Sequence, residues 1–296
     1  MKKFIPKGTF TAIVTPFKQD GSIDYAKFEK LLDFQIENKI EGIVVCGSTG
    51  ETATLTLSEK KDVIRRSVEY VAGRTFVIAG TGSNETKATL ELTTFAKDAG
   101  ADAVLLVAPY YNKPSQKGLY EHFSYIAKGA DIPQIIYNVP GRTAVNILPK
   151  TQLQIAVDCP NVVATKEASG NIEQMMEIIK DAPEHFVLLS GDDALTLSLI
   201  PVGAKGIVSV LSNYAPKQFG DLVRLALDGK YAEAVKLHYQ LFDLMQLNFI
   251  ESNPAPVKAA LAHLGLIEEV IRLPLITVSP ENRKIIKEAM LKAGLL

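Results

Sequence analysis

The chain has 296 residues, a formal net charge of −1, and a composition of 47% hydrophobic and 22% charged residues. This composition is ordinary for a soluble globular protein, and the balanced, scattered charge gives no sign of a nucleic-acid or polyanion partner. The length suits either two average domains or one large barrel.

The sequence carries no targeting pattern and no redox pattern. Residues 1–8 do not read as a signal peptide, and no apolar run reaches the length of a membrane-spanning helix, so we expect a cytoplasmic protein without a membrane partner. The cysteines Cys46 and Cys159 lie far apart and give no disulfide framework, and Cys46 is interpreted as a small core residue. The four histidines are isolated, so no metal site is predicted.

Short apolar runs recur along residues 1–228, and each is followed by a segment with helical periodicity. Because the runs are continuously apolar rather than alternating, they indicate parallel strands covered by helices on both faces. The eight predicted strands are 10–15, 42–47, 76–80, 103–108, 134–137, 162–165, 186–189 and 206–210. The eight predicted helices are 24–38, 58–71 with Ser58 as N-cap, 86–99, 115–128 with Ser115 as N-cap, 149–157, 171–180, 194–201 and 216–227.

Eight strand–helix repeats predict either a (β/α)8 TIM barrel or an open doubly wound sheet. We favour the barrel because the repeat is short and regular and no linker interrupts residues 1–228. The open sheet would be supported by a Gly-x-Gly-x-x-Gly turn after the first strand. Residues 80–85 begin that way, but they end in Glu85 and follow the third strand.

The pattern after Gly229 is entirely helical. Three amphipathic helices are predicted at 231–249, 256–264 and 280–293. They do not fit a ninth strand–helix repeat, so residues 229–296 are predicted to form a helical extension beside the barrel domain 1–228. Since they carry no cluster of catalytic residue types, we expect this extension to be structural or oligomeric.

A barrel places its chemistry at the C-terminal ends of its strands. Collecting the polar residues that follow each predicted strand therefore gives the side chains expected on one face. They are Ser48 and Thr49 after the second strand, Tyr110 and Tyr111 after the fourth, Tyr137 and Arg142 at the fifth, Lys166 and Glu167 at the sixth, residues 190–193 after the seventh, and Ser209 and Ser212 at the eighth.

Each of these side chains has an ordinary interpretation beside a functional one. The turn at Ser48 and Thr49 suits a carboxylate or phosphate, but it equally suits the cap of the next helix. Tyr137 is either a core tyrosine or a proton relay beside an amine. Arg142 lies in a Pro-Gly turn as either a solvated cation or a clamp on a substrate carboxylate.

Lys166 ends a buried strand, where an amine is either solvated, paired with Glu167, or held for chemistry. Burial at the mouth of a barrel would keep it neutral and therefore nucleophilic. A neutral lysine condenses with a ketone or aldehyde to an imine, which is aldolase chemistry without a metal. Because side chains alternate along a strand, Glu167 points to the opposite face and is interpreted as structural.

Five motifs occur together in the order and spacing of one known family. They are residues 47–51 (Gly-Ser-Thr-Gly-Glu), 110–114 (Tyr-Tyr-Asn-Lys-Pro), 137–143 (Tyr-Asn-Val-Pro-Gly-Arg-Thr), 166–170 (Lys-Glu-Ala-Ser-Gly) and 190–193 (Ser-Gly-Asp-Asp). With residues 253–258 (Asn-Pro-Ala-Pro-Val-Lys), they make essentially the whole chain resemble the pyruvate-dependent class I aldolases of the dihydrodipicolinate synthase and N-acetylneuraminate lyase group.

Arg142 and the aromatic pair Tyr110-Tyr111 favour the synthase branch of that group. In the synthases, an arginine in this turn holds the carboxylate of L-aspartate 4-semialdehyde, and sialic-acid lyases generally lack it. The resemblance therefore implies Schiff-base condensation of pyruvate with L-aspartate 4-semialdehyde and cyclisation to 4-hydroxy-tetrahydrodipicolinate. That reaction is the first committed step of the diaminopimelate route to lysine.

The resemblance also implies a role for each site residue. Lys166 forms the imine with pyruvate, without a cofactor or a metal. Tyr137 relays protons and is coupled through Thr49 to Tyr111, while Ser48 and Thr49 hold the pyruvate carboxylate.

Further implications of the resemblance concern the pocket wall and the assembly. Gly191 and the carbonyl of Val208 line the same pocket in relatives. Tyr111 reaches in from a neighbouring subunit, so a dimer is the minimal active unit, and the expected assembly is a homotetramer built as a dimer of dimers.

Inhibition by lysine is predicted to be weak or absent. Lysine-inhibited relatives often carry histidines near positions 57 and 60 and an acid near position 88, where this chain has Leu57, Lys60 and Ala88. Asn84 and Tyr110 do match the allosteric pattern.

Two other functions stay open. A sialic-acid or keto-deoxy-sugar lyase would use the same pyruvate imine with a different aldehyde. A catalytically idle barrel that binds a keto acid or acts as a scaffold would not need Lys166, Tyr137, Thr49 and Tyr111 together.

Overall fold

The computed structural model describes residues 3–296. In this part of the chain, eight parallel strands close into a barrel in which each strand pairs with the next and the last pairs with the first. The strands are β1 (Gly8–Ala12), β2 (Gly42–Val45), β3 (Phe76–Gly80), β4 (Ala103–Val107), β5 (Gln134–Asn138), β6 (Val162–Glu167), β7 (Val187–Ser190) and β8 (Gly206–Ser209). The predicted (β/α)8 barrel is confirmed, and the open sheet is excluded.

Helices follow the strands and then form the C-terminal extension. The helices are α1 (Tyr25–Glu37), α2 (Leu57–Val71), α3 (Thr86–Asp98), α4 (Gln116–Gly129), α5 (Pro140–Thr143), α6 (Pro149–Asp158), α7 (Ile172–Asp181), α8 (Thr196–Leu199), α9 (Pro216–Leu227), α10 (Tyr231–Leu247), α11 (Ala255–His263) and α12 (Pro280–Lys292). Two short 3-10 turns lie at Thr52–Thr54 and Leu211–Asn213. Within residues 3–296, none of these helices has both the length and the apolar character needed to cross a bilayer.

The start of α2 differs from the prediction. Thr56, rather than Ser58, is the N-cap: its hydroxyl accepts from the backbone N–H of Glu59 at 3.2 Å, while the Glu59 carboxylate accepts from the backbone N–H of Thr56 at 2.8 Å. This reciprocal pair satisfies two exposed donors, so it starts the helix two residues earlier than a lone Ser58 cap would. The predicted cap Ser115 of α4 is confirmed.

Strand β6 is longer than predicted and carries Lys166 and Glu167 inside it. Its register pairs Tyr137 with Lys166 and Asn138 with Glu167 on the neighbouring β5. Because side chains alternate along a strand, Tyr137 and Lys166 face the barrel axis at one level, while Asn138 and Glu167 face the helices. This register therefore brings the Tyr137 phenol and the Lys166 amine together inside the barrel.

The expectation that Glu167 is structural is confirmed by its contacts. Its carboxylate is fully buried and accepts from the side-chain amides of Asn138 at 3.0 Å, Gln152 at 3.0 Å and Gln174 at 3.2 Å, and from the backbone N–H of Ser169 at 2.9 Å. Gln152 lies on α6 and Gln174 on α7, so Glu167 fastens two helices to the strand that carries Lys166.

Two apolar layers stabilise the barrel. A large layer lies between the strands and the surrounding helices, and a smaller one fills the barrel interior. Phe4, Phe10 and Phe76 pack together in the interior layer, and Tyr137 belongs to the same layer. The barrel is therefore a packed core, and polar chemistry is confined to its mouth.

The C-terminal extension is fastened to the loop that follows β2. Lys258 in α11 is 1% exposed, pairs with the Glu51 carboxylate, and donates to the Val270 carbonyl at 2.8 Å. Arg272 donates to the Glu59 carboxylate at 2.6 Å. The extension thus contacts the segment that carries Ser48 and Thr49. The boundary between residues 228 and 229 stays a prediction.

Candidate active site

A cavity of about 210 Å³ opens at the C-terminal ends of the strands. Its walls include six of the residues predicted from the strand ends: Ser48, Thr49, Tyr137, Arg142, Lys166 and Gly191. The volume suits a small molecule, and the wall combines apolar side chains with a few convergent polar groups, as substrate pockets do.

Lys166 is 5% exposed and points into this cavity. Burial lowers the pKa of its amine from 10.5 to about 7, with Arg142 lowering it further and the Asp193 carboxylate opposing the shift. The alternative that Lys166 pairs with Glu167 is wrong, because the Glu167 carboxylate accepts hydrogen bonds from side-chain amides on the other face of the strand. An amine with this pKa is substantially neutral at physiological pH and can attack a carbonyl carbon.

Tyr137 lies beside the amine on the adjacent strand, with its ring centroid 4.1 Å from Lys166 Nζ. It is 7% exposed, and burial raises the pKa of its phenol to about 12. The phenol therefore keeps its proton and can donate a hydrogen bond or hand on a proton at the position where an adduct of Lys166 would form.

The loop after β2 carries Ser48 and Thr49 along the cavity wall. Its start turns sharply, since Cys46 has a φ of 55° and packs against Gly80. A Cβ on Gly80 would come within 2.3 Å of the Cys46 carbonyl oxygen, so only glycine permits this approach. Cys46 is buried and burial raises its pKa to about 12, which confirms it as a core thiol and not a nucleophile.

Thr49 is 3% exposed, and its hydroxyl oxygen accepts from Asn253 Nδ2 at 3.0 Å. Arg142 lies in the short helix α5, exposed at the mouth, and its Nη2 donates to the Asn253 carbonyl at 3.4 Å. Thr49 and Arg142 therefore stand on either side of one residue from the extension.

Asp193 is a buried carboxyl close enough to Lys166 to act on its charge. It accepts from the Ser209 hydroxyl at 2.6 Å and from the backbone N–H of Leu211 at 2.9 Å. Burial raises the pKa of Asp193 to about 6, against the lowering effect of these donors. The site thus holds a buried carboxyl group, with hydrogen-bond donors of its own, that acts on the charge of the Lys166 amine.

Four predicted site residues do not line this cavity. Tyr111 is 88% exposed and has a φ of 73°, so its side chain stands out from the surface. Tyr110 is 40% exposed, and Asn84 contributes its carbonyl as acceptor for Asn112 Nδ2 at 2.8 Å. Val208 is fully buried in the interior layer under the cavity, and Val210 reaches the wall above it.

Comparison with known proteins places this geometry in a family. A model of the dihydrodipicolinate synthetase family matches residues 5–293. A 4-hydroxy-tetrahydrodipicolinate synthase of Aquifex aeolicus is 47% identical over 289 residues, which cover 98% of each chain. Another, of Koribacter versatilis, is 49% identical over 291 residues, which cover 98% of this chain and 97% of the relative.

The chain belongs to the dihydrodipicolinate synthetase family. Its fold is shared with a solved structure of a chloride-inhibited dihydrodipicolinate synthase from Acinetobacter baumannii complexed with pyruvate. That chain is 40% identical with a TM-score of 0.96, and the match covers 99% of this chain and 100% of the other. The resemblance inferred from the five motifs is therefore confirmed.

The sequence predicted no role in the site for two residues that the structure places there. Asn253 and Phe249 come from the extension and line the same cavity as Lys166. The interpretation of the extension as only structural or oligomeric was therefore incomplete. The Asn-Pro-Ala-Pro motif at 253–256 was a visible signal, but its position relative to Thr49 depends on tertiary packing.

Within residues 3–296, His, Cys, Asp and Glu side chains do not gather in groups of three or more that could hold a metal ion. The polar groups in the cavity include an amine, a phenol, hydroxyls and a guanidinium, which suit a carboxylate-bearing carbonyl compound, beside the Asp192 carboxylate and the Asn253 amide.

Proposed function

We propose that the chain condenses pyruvate with L-aspartate 4-semialdehyde and cyclises the product to 4-hydroxy-tetrahydrodipicolinate. The observation that carries the proposal is the buried amine of Lys166, with a pKa of about 7, facing Tyr137 in a small polar cavity. The names of the relatives of this family support the same reaction.

Lys166 is the nucleophile in this reaction. Its neutral amine attacks the carbonyl carbon of pyruvate, and the resulting carbinolamine loses water to give an iminium. Tyr137 supplies the proton that the departing hydroxyl needs. The Ser48 hydroxyl and the backbone N–H groups of Ser48 and Thr49 hold the pyruvate carboxylate beside Gly191. The Thr49 hydroxyl links Tyr137 to Tyr111.

The iminium then acts as the electron sink of the aldol step. Loss of a methyl proton gives an enamine, whose carbon attacks the aldehyde carbon of the second substrate, and the aldehyde oxygen gains a proton. The substrate amine next attacks the iminium carbon, forming the ring and breaking the bond to Lys166, which leaves as a free amine. No step needs a cofactor, because the lysine itself accepts and returns the electron pair.

Arg142 provides the preference for this second substrate. Its guanidinium stands exposed at the cavity mouth, where a carboxylate can meet it in two parallel hydrogen bonds. A sugar-derived aldehyde offers no carboxylate at that end. The arginine and the names of the relatives therefore favour the synthase over the sialic-acid or keto-deoxy-sugar lyase.

Tyr111 completes the proton relay from a neighbouring subunit. A tyrosine that is 88% exposed and absent from the cavity of its own chain is consistent with a side chain whose contacts lie across an interface. We therefore propose a dimer as the minimal active unit and a homotetramer, arranged as a dimer of dimers, as the assembly. We also propose that the reaction takes place in the cytoplasm.

Borohydride reduction in the presence of pyruvate tests the function. The iminium should be reduced to a stable secondary amine, adding the mass of one pyruvic acid less one oxygen atom to the peptide that contains Lys166. Lys258 is the internal control, since it is a second buried lysine with a lowered pKa, about 8, but is paired with Glu51 outside the cavity. An absence of pyruvate-dependent mass gain at Lys166 contradicts the proposal.

The choice of aldehyde is tested separately. Arg142→Lys keeps the charge but loses the planar fork, so the KM for L-aspartate 4-semialdehyde should rise while the yield of the pyruvate adduct stays unchanged. Equal effects on both measurements would argue against Arg142 as the contact of the second substrate.

A further inference from the structure

Asn253 connects the two ends of the cavity. It is 4% exposed and lies between α10 and α11, outside the barrel. Its side-chain Nδ2 donates to Thr49 Oγ1 at 3.0 Å, and its backbone carbonyl accepts from Arg142 Nη2 at 3.4 Å. One residue of the extension therefore touches both the residue proposed for the pyruvate end and the residue proposed for the aldehyde end.

The contact with Asn253 restricts what the Thr49 hydroxyl can do. A hydroxyl has one proton to donate and two lone pairs that accept. The Asn253 amide occupies one lone pair, and within residues 3–296 this is the single side-chain hydrogen bond of Thr49. The hydroxyl is left with one proton and one lone pair, which are the two groups that a link between two phenols requires.

The other polar atom of the Asn253 side chain, Oδ1, is buried and has no hydrogen-bond partner among the described residues. An unpaired buried acceptor is unfavourable, so the hydrogen bonding of Oδ1 does not account for the orientation that presents Nδ2 to Thr49. Such an unsatisfied group calls for an explanation in terms of function.

We propose that Asn253 is a positioning residue that orients the Thr49 hydroxyl within the proton relay. The inference rests on the proposed function, in which Thr49 links Tyr137 to Tyr111. With the amide on one lone pair, Thr49 accepts from one phenol and donates to the other. The extension thereby takes part in catalysis without touching the reacting atoms.

The amide of Asn253 donates a hydrogen bond to Thr49, and neither a carboxylate nor a methyl group at position 253 would do so. A carboxylate of the same shape has no proton to donate, so it would accept the Thr49 proton and end the relay. A methyl group would leave the hydroxyl free to rotate, so that the relay would form part of the time. Asn253→Asp should therefore be more damaging than Asn253→Ala, which is the reverse of the order expected if the residue only fills space.

The experiment measures proton transfer separately from the second substrate. The full-length enzyme is incubated with pyruvate in deuterated water, and loss of the methyl proton signal reports formation and reprotonation of the enamine. Borohydride trapping of the adduct on Lys166 reports imine formation in the same samples. Asn248→Ala is the matched control, because Asn248 is a buried asparagine near the same loop that accepts from the Tyr214 hydroxyl and does not line the cavity.

Asn253→Ala should slow exchange about tenfold and Asn253→Asp about a hundredfold, the second being in the range seen when a proton-transfer group is lost. Both variants should still give the trapped adduct, and Asn248→Ala should exchange at the wild-type rate. In a Thr49→Val background the two substitutions at Asn253 should have equal effects, since the hydroxyl that they orient is gone.

The pH dependence provides a second readout. Burial raises the pKa of a carboxyl group, and a protonated carboxyl can again donate to Thr49. The exchange rate of Asn253→Asp, divided by the wild-type rate at the same pH, should therefore rise as the pH is lowered. A role limited to packing predicts a constant ratio.

Three results would overturn the inference. They are equal slowing by Asn253→Ala and Asn253→Asp, a difference between them that persists in Thr49→Val, and a wild-type exchange rate in Asn253→Asp. The proposed function fails on a different result, namely no trapped adduct in the wild-type enzyme. If the adduct forms in all variants and the exchange rate does not change with the residue at position 253, the inference is wrong but the proposed function stands.

Discussion

The chain buries two lysines in opposite electrostatic settings, and replacing each with methionine should change stability in opposite directions. Lys166 is buried in the cavity and lacks a contacting carboxylate among the described residues, whereas Lys258 is paired with Glu51. Methionine keeps the apolar stem of a lysine and removes the amine. Lys166→Met should therefore stabilise the fold, and Lys258→Met should destabilise it.

The magnitude for Lys166 follows from its pKa, which falls from 10.5 in the unfolded chain to about 7 in the folded protein. At about 1.4 kcal/mol for each pKa unit, the folded state loses up to about 5 kcal/mol when the amine is protonated. The penalty is fully present below pH 7, where both states bind the proton, and it shrinks as the pH rises toward 10.5, where neither does. The gain from Lys166→Met must follow the same window.

The expected cost for Lys258→Met has another origin. Removing the amine leaves the Glu51 carboxylate, which is 1% exposed, without its cation. Breaking one partner of a buried ion pair costs roughly 3–5 kcal/mol. Part of this loss should be recovered in the double variant with Glu51→Gln, because the uncompensated charge is then removed as well.

Guanidinium unfolding of the three proteins, at one fixed protomer concentration and several pH values between 6 and 10, measures both effects. Fixing the concentration matters because the proposed oligomer would be stabilised by mass action. A Lys166→Met protein that is no more stable than wild type at pH 6.5, or whose gain does not decline with rising pH, would refute the assignment of Lys166 as a desolvated, uncompensated amine.

The remaining predictions concern catalysis and regulation. Tyr137→Phe should keep the trapped pyruvate adduct but lower kcat by about 10²–10⁴, the range for loss of a proton-transfer group, and a normal kcat would contradict its role. Asp193→Asn removes the charge that raises the pKa of Lys166, so the acid limb of the adduct-formation profile should move to lower pH; movement to higher pH would contradict it. Added lysine should inhibit weakly or not at all in a titration, because Leu57, Lys60 and Ala88 replace the residues that lysine-inhibited relatives often carry. Strong inhibition at sub-millimolar concentration would contradict this prediction.

The sequence predicted the barrel and most of the cavity because both follow from local patterns. Continuous apolar runs mark strands covered on both faces, and the C-terminal ends of such strands meet at one edge. Alternation along β6 then separates Lys166 from Glu167 without any knowledge of the fold, and the register between Tyr137 and Lys166 confirms the separation.

The part that could not be predicted depends on contacts between residues far apart in the chain. Asn253 reaches Thr49 across 204 positions, and no periodicity in either segment encodes that meeting. The prediction of Ser58 as the N-cap of α2 was wrong for a different reason. Ser58 satisfies the simple preference, but the reciprocal bonds between Thr56 and Glu59 satisfy two donors at once and outweigh it.

The comparison of Lys166 with Lys258 also explains why composition cannot identify a catalytic lysine. Both amines are buried, both have a lowered pKa, and each lies about 4 Å from an aromatic ring, Tyr137 for one and Phe17 for the other. What differs is compensation. The contact with Glu51 and the carbonyl of Val270 holds the proton on Lys258, whereas Lys166 feels the Asp193 carboxylate only at a distance and keeps an open cavity in front of its nitrogen. A buried amine becomes a nucleophile when its charge is left uncompensated and its lone pair faces space that a substrate can fill.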